Sequence, residues 1–103
     1  MIVVLSGSTA RLKWSFRGKL SQTTLLWHFT RRGSSNEDVL IAGKFGTRVN
    51  AQVFASSSPG VAIETPATLV LNNVDECYNG KYRFTVQVYG GIAQYAVVEV
   101  FIL

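Results

Sequence analysis

The sequence predicts an all-β sandwich or small barrel that forms one domain over residues 1–103. Helical periodicity is absent, whereas apolar and polar residues alternate with a period of two through much of the chain. Turn-forming residues recur about every 8 to 12 positions, a spacing typical of all-β folds. A chain of 103 residues is long enough for one hydrophobic core and too short for a second core with a linker. We therefore expect about nine short strands around a single core.

The first half of the chain contains the clearest alternation. The segment IVVL (2–5) is an apolar run typical of a strand, and RRGSSNED (31–38) has the composition of a loop. Within ARLKWSF (10–16), one side of the predicted strand carries Leu12, Trp14 and Phe16. Within TTLLWHFT (23–30), one side carries Leu25, Trp27 and Phe29, and the other carries Leu26, His28 and Thr30.

The second half of the chain predicts a further series of short strands. VLIAGKF (39–45) is a strand, RVNAQVFAS (48–56) supplies one or two short edge strands, and SSPG (57–60) forms a turn. The remaining strands are VAIET (61–65), ATLVLNNV (67–74), KYRFTVQVY (81–89) and YAVVEVFIL (95–103). Their apolar runs are too short for a membrane-crossing helix, which needs about 20 residues, so any membrane attachment requires segments outside this chain.

The charge distribution argues against nucleic acid as a partner. The formal net charge is +4, and eight of the ten Lys and Arg residues lie within the first 50 positions. A nucleic-acid interface needs such cations on one face, interleaved with exposed aromatic side chains. Here they fall on alternate strand positions and in turns. We therefore predict a solvated basic side and no nucleic-acid partner.

The reactive side chains do not form a pattern typical of catalysis or metal binding. The chain has one cysteine, Cys77, and one histidine, His28. A single thiol forms no intradomain disulfide, and without further Cys or His residues near it there is no zinc-ligand pattern. The six carboxylates are dispersed among turns and solvent-facing positions, and no Ser/His/Asp arrangement is readable. The sequence therefore predicts no enzyme activity, metal or cofactor.

The spacing of several residues resembles that of the immunoglobulin variable-type (V-set) domain over essentially the whole chain. The opening of that family is matched by Ile2, Val4, Gly7 and Leu12. Trp27 takes the place of the family's strand-C tryptophan, and VLIA (39–42) lies where strand C′ ends. The apolar ladder of strand E is matched by Leu69, Leu71 and Val74.

The stretch LNNVDECYNGKYRFTV (71–86) resembles strand E, the tyrosine corner and strand F of the same family. Gly80 and Tyr82 match the corner, and Phe84 stands where the second half-cystine would be. Trp14 stands in the position of the first half-cystine, so both cysteines are replaced together. The resemblance implies a V-set β-sandwich of about nine antiparallel strands in two sheets, without the intersheet disulfide.

Aromatic burial is expected to compensate for the missing bridge. A disulfide that closes a loop of about 70 residues contributes roughly 4 to 5 kcal/mol. Two buried aromatic side chains contribute about 1.5 to 3 kcal/mol each, and rings in contact add about 1 kcal/mol. We expect Trp14, Trp27 and Phe84 in mutual contact at the centre. The predicted structural core consists of Leu12, Trp14, Trp27, Leu71, Tyr82 and Phe84.

Cys77 lies in the turn between strands E and F under this alignment. We predict a small, partly buried thiol there, with an intermolecular disulfide as the alternative. Because a core that needs no disulfide can exist outside the cell, a single cysteine does not imply a reducing compartment.

The resemblance implies a cell-surface recognition or adhesion module, excised from the extracellular part of a membrane protein. V-set domains commonly bind another such domain, frequently a copy of themselves, through the face formed by strands C, C′, F and G. The segments NGKY (79–82) and WSF (14–16) resemble invertebrate allorecognition receptors such as those of colonial hydroids, which implies homophilic binding between opposing cells. By alternation, the predicted binding face displays Leu26, His28, Thr30, Arg83, Thr85, Gln87, Tyr89, Tyr95 and Val97.

Two other functions remain open from the sequence. Intracellular structural immunoglobulin-like domains also lack disulfides, although the 55 positions from Trp27 to Tyr82 leave room for strands C′ and C″ and favour a V-set domain. Sialic-acid-binding lectins of this fold carry an essential Arg at the place taken here by Thr85. Arg83 lies on the same face, so an acidic sugar is the less favoured glycan alternative.

Overall fold

The computed structural model describes residues 1–17, 19, 22–33, 38–45, 51–54, 61–64 and 67–103. These residues form nine strands and one short 3₁₀ turn, Glu76–Tyr78. The strands are β1 (Ile2–Val4), β2 (Ala10–Lys13), β3 (Thr23–Arg31), β4 (Asp38–Lys44), β5 (Gln52–Val53), β6 (Val61–Glu64), β7 (Thr68–Leu71), β8 (Gly80–Val88) and β9 (Gln94–Ile102). Within this part of the chain no helix is long and apolar enough to cross a membrane.

The strands form two sheets, which confirms the predicted all-β sandwich. One sheet has six strands in the order β1-β9-β8-β3-β4-β5, and the other has three in the order β2-β7-β6. Among the described strands, β1 runs parallel to its neighbour, β9, and the other pairs are antiparallel. In family terms, β3, β4, β8 and β9 are the strands predicted as C, C′, F and G.

Several predicted boundaries differ from the structure. Both ends of the predicted loop 31–38 belong to strands, because Arg31 ends β3 and Asp38 begins β4, and residues 34–37 lie outside the described residues. Of the predicted edge segment 48–56, only the pair Gln52–Val53 is a strand among the described residues. Residues 48–50 and 55–56, together with the predicted turn 57–60, lie outside the described residues.

An aromatic cluster occupies the middle of the sandwich, where Phe84 lies between the two tryptophans. The Phe84 ring stacks on Trp14 at 5.5 Å between centroids and meets Trp27 at 5.3 Å. Phe16 also approaches it, at 6.3 Å. Trp27 and Phe84 are buried, whereas Trp14 is only partly buried. Trp14 contacts Phe84 as expected, but the expectation that Trp14 lies at the centre is wrong. Trp14 follows Lys13, the last residue of β2, and packs at the margin of the core.

The corner before β8 has the hydrogen bond that defines a tyrosine corner. The Tyr82 hydroxyl donates to the Tyr78 carbonyl at 2.8 Å, and the Tyr82 ring stacks on Phe29. Burial raises the pKa of the Tyr82 phenol far above its ordinary value, so the hydroxyl remains a donor. Gly80 is required here, because a Cβ on it would lie 2.2 Å from the Thr30 carbonyl oxygen.

Cys77 lies in the 3₁₀ turn and is exposed, not partly buried as predicted. Its backbone N–H donates to the Asp75 carboxylate, which caps the turn at 2.9 Å. The Arg31 guanidinium lies 3.7 Å from the Cys77 sulfur.

One buried cation was not expected from the sequence. Lys44, at the end of β4, is 1% exposed, and its ammonium donates to the backbone carbonyl of Thr23. Burial lowers the pKa of this amine. Lys44 pairs with Leu25 across the strands and therefore points into the sandwich. Simple alternation from Leu40, which lies beside His28 on the outer side, would place Lys44 on the outer side, because alternation takes no account of the β-bulge.

Candidate binding face

The candidate site is the outer face of the large sheet, meaning the surface of β3, β4, β8 and β9 that points away from the three-stranded sheet. Strand register places the predicted residues in rows across this face. One row contains Leu26, Thr85 and Tyr95, and the next contains His28, Arg83 and Val97. Gln87 lies beside Thr24 in a third row. The fourth row contains Thr30, Lys81 and Glu99.

The exposure of the predicted residues varies across the outer face. Tyr95 is 71% exposed and Val97 50% exposed, so the β9 side presents large apolar groups to solvent. Leu26, His28 and Thr85 are partly buried. Tyr89 is 91% exposed but lies beyond the last residue of β8, in the turn to β9. Register therefore brings eight of the nine predicted residues onto strands of one sheet, and Tyr89 stands at its margin.

A charged pair lies in the middle of the outer face. The Arg83 guanidinium contacts the Asp38 carboxylate at 2.6 Å, and both side chains are 36% exposed. Thr30 donates its hydroxyl to the same carboxylate at 3.2 Å. Because each charge already has a partner, a protein that covered this face would not leave either one unpaired.

His28 lies next to this pair on β3. Burial lowers the pKa of its imidazole, the Asp38 carboxylate opposes this effect, and the Arg83 cation reinforces it. Its Nδ1 atom is buried without a hydrogen-bond partner among the described residues. The lowered pKa favours the neutral imidazole near pH 7.

Sequence analysis missed several residues of the outer face on β4. A β-bulge between Trp27 and His28 places Leu40 beside His28 and Asp38 beside Thr30. A Cβ placed on Gly43 would lie 2.7 Å from the Phe45 ring and 3.5 Å from the Leu26 side chain. The Phe45 ring therefore lies over Gly43, next to Leu26. Alternation alone does not reveal a bulge, so the partners contributed by β4 were not predictable in register.

Among the residues that the structure describes, no group of three or more His, Cys, Asp or Glu side chains comes together in a way that could hold a metal ion. What the face offers is apolar and aromatic surface around an internally paired Arg and Asp. Such a composition suits protein contact, because hot spots in interfaces are enriched in Tyr and Arg.

The strand order and the tyrosine corner define the class of the fold. A sheet of strands G, F, C, C′ and C″ facing a sheet of strands B, E and D is the variable-type immunoglobulin sandwich, and this chain has that fold. Trp14 and Phe84 occupy the positions of the usual bridge, and the chain has one cysteine. The predicted V-set fold without an intersheet disulfide is confirmed.

Solved structures with the same fold belong to proteins of distant sequence. A structure from work on multimeric cell-adhesive interactions of voltage-gated sodium channel beta subunits matches at TM-score 0.75 and 13% identity, over 99% of this chain and 89% of that chain. The extracellular domain of the voltage-gated sodium channel beta4 subunit, solved as parallel homodimers, matches at TM-score 0.73 and 14% identity, over 99% and 88%. The V domain of amphioxus IgVJ-C2 matches at TM-score 0.72 and 10% identity, over 99% of both chains. No protein-family model and no curated protein matches the sequence.

Proposed function

We propose that this domain is a cell-surface recognition or adhesion module that binds another protein through the outer face. The partner we favour is a second copy of the same domain on an opposing cell, as in allorecognition or cell-adhesion receptors. The domain would then be part of the extracellular portion of a membrane protein, held to the membrane by segments outside this sequence.

The observation that carries the proposal is the composition of the outer face. Tyr95, Val97 and Phe45 are each more than 40% exposed on one sheet surface, around the Arg83–Asp38 pair. Exposed apolar side chains that cluster on one surface mark contact sites more often than scattered ones do. The paired charges at the centre would give register without the cost of an unpaired buried ion.

The similar solved structures support the same class of function. Two of them concern adhesive sodium channel beta subunits, and one of these was solved as homodimers. Identities of 13% and 14% carry the fold and not the mode of binding, so the face used here rests on the geometry of this chain.

The glycan alternative is weakened by the surroundings of Arg83. A sugar carboxylate would need a guanidinium free to pair with it, whereas Arg83 is engaged by Asp38 at 2.6 Å. Thr85, at the position of the lectin Arg, carries no charge. A glycan would have to displace Asp38 first.

The test compares charge reversal at two ion-paired arginines on opposite sheets. Arg83→Glu alters the outer face, and Arg11→Glu is the matched control because Arg11 pairs with Glu64 at 3.3 Å on the three-stranded sheet. Sedimentation velocity at high micromolar concentration and clustering of beads coated with the domain are the measurements. We expect the wild type and Arg11→Glu to self-associate and Arg83→Glu to be impaired.

Two results would contradict parts of this proposal. A strictly monomeric wild type that also fails to cluster beads removes the homophilic partner. Equal behaviour of Arg83→Glu and Arg11→Glu, with both variants folded by circular dichroism, removes the outer face as the contact surface.

A further inference from the structure

Strand β9 has a free edge over half of its length. It pairs with β8 from Gln94 to Val100, but β1 covers its other side only at Val100–Ile102. Among the described residues, no strand pairs with the stretch 94–98 on that side. A free edge presents unpaired N–H and C=O groups and is a template for another strand.

The hydrogen bonds at the end of β9 show which residues point their backbone N–H and C=O groups towards this edge. The Leu103 N–H donates to the Val4 carbonyl at 2.9 Å, so it points towards β1. The Ile102 N–H points the other way, to the Asn79 side chain. Because direction alternates along a strand, Tyr95 and Val97 turn their N–H and C=O groups to the free edge.

The inner side of this edge is apolar and uncovered. Ala96 pairs with Phe84 across the strands and so points to the interior side, yet it is exposed. Beside it lies a concavity of about 120 Å³ whose lining includes Trp14, Phe84 and Val86. It neighbours a second one of about 600 Å³ lined by Phe16, Val88 and Ile92, among others. Ile92 is 89% exposed.

We propose that the free edge of β9 is a second self-association site, at which two copies of the domain pair their β9 strands antiparallel about a two-fold axis at Ala96. Tyr95 of one copy would exchange both backbone hydrogen bonds with Val97 of the other. Ala96 would then face its own counterpart in a non-hydrogen-bonded pair, where the side chains come closest. The inward side chains of each strand would cover the other copy's concavity.

A second copy fits this edge because the free stretch is its own complement. Residues 94–98 (QYAVV) contain no charge, so antiparallel pairing sets no like charges opposite each other. The smallest side chain, Ala96, stands at the centre of the stretch. The other described edges are blunted, because β1 and β5 are very short, β2 carries Arg11 and Lys13, and β6 ends in Glu64.

The edge contact does not depend on the proposed function, and together with the outer face it predicts that the domain assembles into rows. Five paired residues bury less than the roughly 1,200 to 2,000 Å² of a stable interface, so the edge contact alone is weak and transient. The edge and the outer face are different surfaces, and each forms a symmetric contact. A molecule that uses both contacts joins neighbours on two sides and extends into a row.

The test separates the edge from the outer face by placing one Lys on each. Ala96→Lys sets two ammonium groups against each other across the two-fold axis, and like charges in an interface should weaken edge pairing at least about tenfold. Thr85→Lys is the matched variant on the neighbouring strand, and it alters the outer face only. Sedimentation velocity gives the self-association constant of each, and circular dichroism verifies the fold.

A disulfide-trapping experiment gives a second readout. With Cys77→Ser as background, Ala96→Cys should form an intermolecular disulfide much faster under mild oxidation than Asn72→Cys, an exposed control position after β7. Weakening by Ala96→Lys together with fast trapping supports the edge contact. Unchanged association in Ala96→Lys, or trapping no faster than at Asn72→Cys, overturns it. Loss of association only in Thr85→Lys overturns the edge contact and leaves the outer face standing.

Discussion

The two ends of the sandwich are built differently. At the corner end, β1 covers the end of β9, the Tyr82 hydroxyl binds the Tyr78 carbonyl, and Gly80 packs against the backbone of Thr30. At the open end, where β9 begins, Trp14 and Phe16 are only partly buried and Ala96 is exposed. The same two sheets are therefore closed at one end and leave apolar surface uncovered at the other.

The corner end contributes mainly to the stability of the fold, whereas the open end leaves apolar surface available to a partner. Buried and hydrogen-bonded groups contribute to the free energy of unfolding, so the corner end should be the more sensitive to substitution. Exposed apolar groups contribute little to folding and are available to a partner. Phe84 links both ends, since its ring meets Trp27 in the buried core and Trp14 at the margin.

The largest expected effect comes from Phe84→Ala. Removing the ring leaves a cavity between the two tryptophans and should lower the free energy of unfolding by about 3 to 5 kcal/mol, measured by chemical denaturation. Phe84→Leu keeps most of the apolar volume and should cost clearly less. A mild effect of Phe84→Ala would mean that the aromatic cluster does not replace a disulfide.

Gly80→Ala should come next and tests the corner end directly. The new Cβ would clash with the Thr30 carbonyl oxygen at 2.2 Å, so overpacking should cost about 1 to 3 kcal/mol in thermal or chemical unfolding. Gly90→Ala is the control. Both glycines have a positive φ, 154° at Gly80 and 78° at Gly90, but a Cβ on Gly90 meets no atom within 4 Å. Equal losses in the two variants would show that backbone strain and not close packing governs Gly80.

Tyr82→Phe removes the corner hydrogen bond and should cost about 1 kcal/mol near pH 7. Burial raises the pKa of the folded phenol, so its contribution to stability is complete below the unfolded value of about 10 and is lost as pH rises above it. The free energy of unfolding, measured from pH 8 to 11, should therefore decline more steeply in wild type than in Tyr82→Phe. Tyr89→Phe, at an exposed tyrosine, should follow the wild-type curve.

The smallest effect is expected at the open end. Ile92→Ser replaces an 89% exposed side chain and should change the free energy of unfolding by no more than about 0.5 kcal/mol. Ile102→Ser is the control at the corner end, and because Ile102 is buried it should cost clearly more than Ile92→Ser. If the two substitutions destabilise equally, the contrast between the ends does not hold.

Much of the fold was predictable because it depends on local pattern. Alternation in residues 23–30 predicted that Leu25, Trp27 and Phe29 face inward, and all three are buried. The resemblance to the V-set family, in which Gly80 and Tyr82 match the tyrosine corner, indicated the corner. The contribution of β4 to the outer face was not predictable, since the bulge between Trp27 and His28 shifts the pairing and brings Asp38 to Arg83.

The sequence by itself determined the sheet-forming segments, the inward and outward sides of β3 and β8, and the replacement of both half-cystines by Trp14 and Phe84. The first two properties follow from side-chain alternation along each strand. The replacement of the half-cystines was implied by the resemblance to the V-set family. Only the tertiary structure decided that Arg83 is paired with Asp38, that Lys44 is buried, and that β9 keeps a free edge at its start. Each of these depends on how strands distant in the chain pair, and that register is set by turn geometry and by which face of each strand is buried.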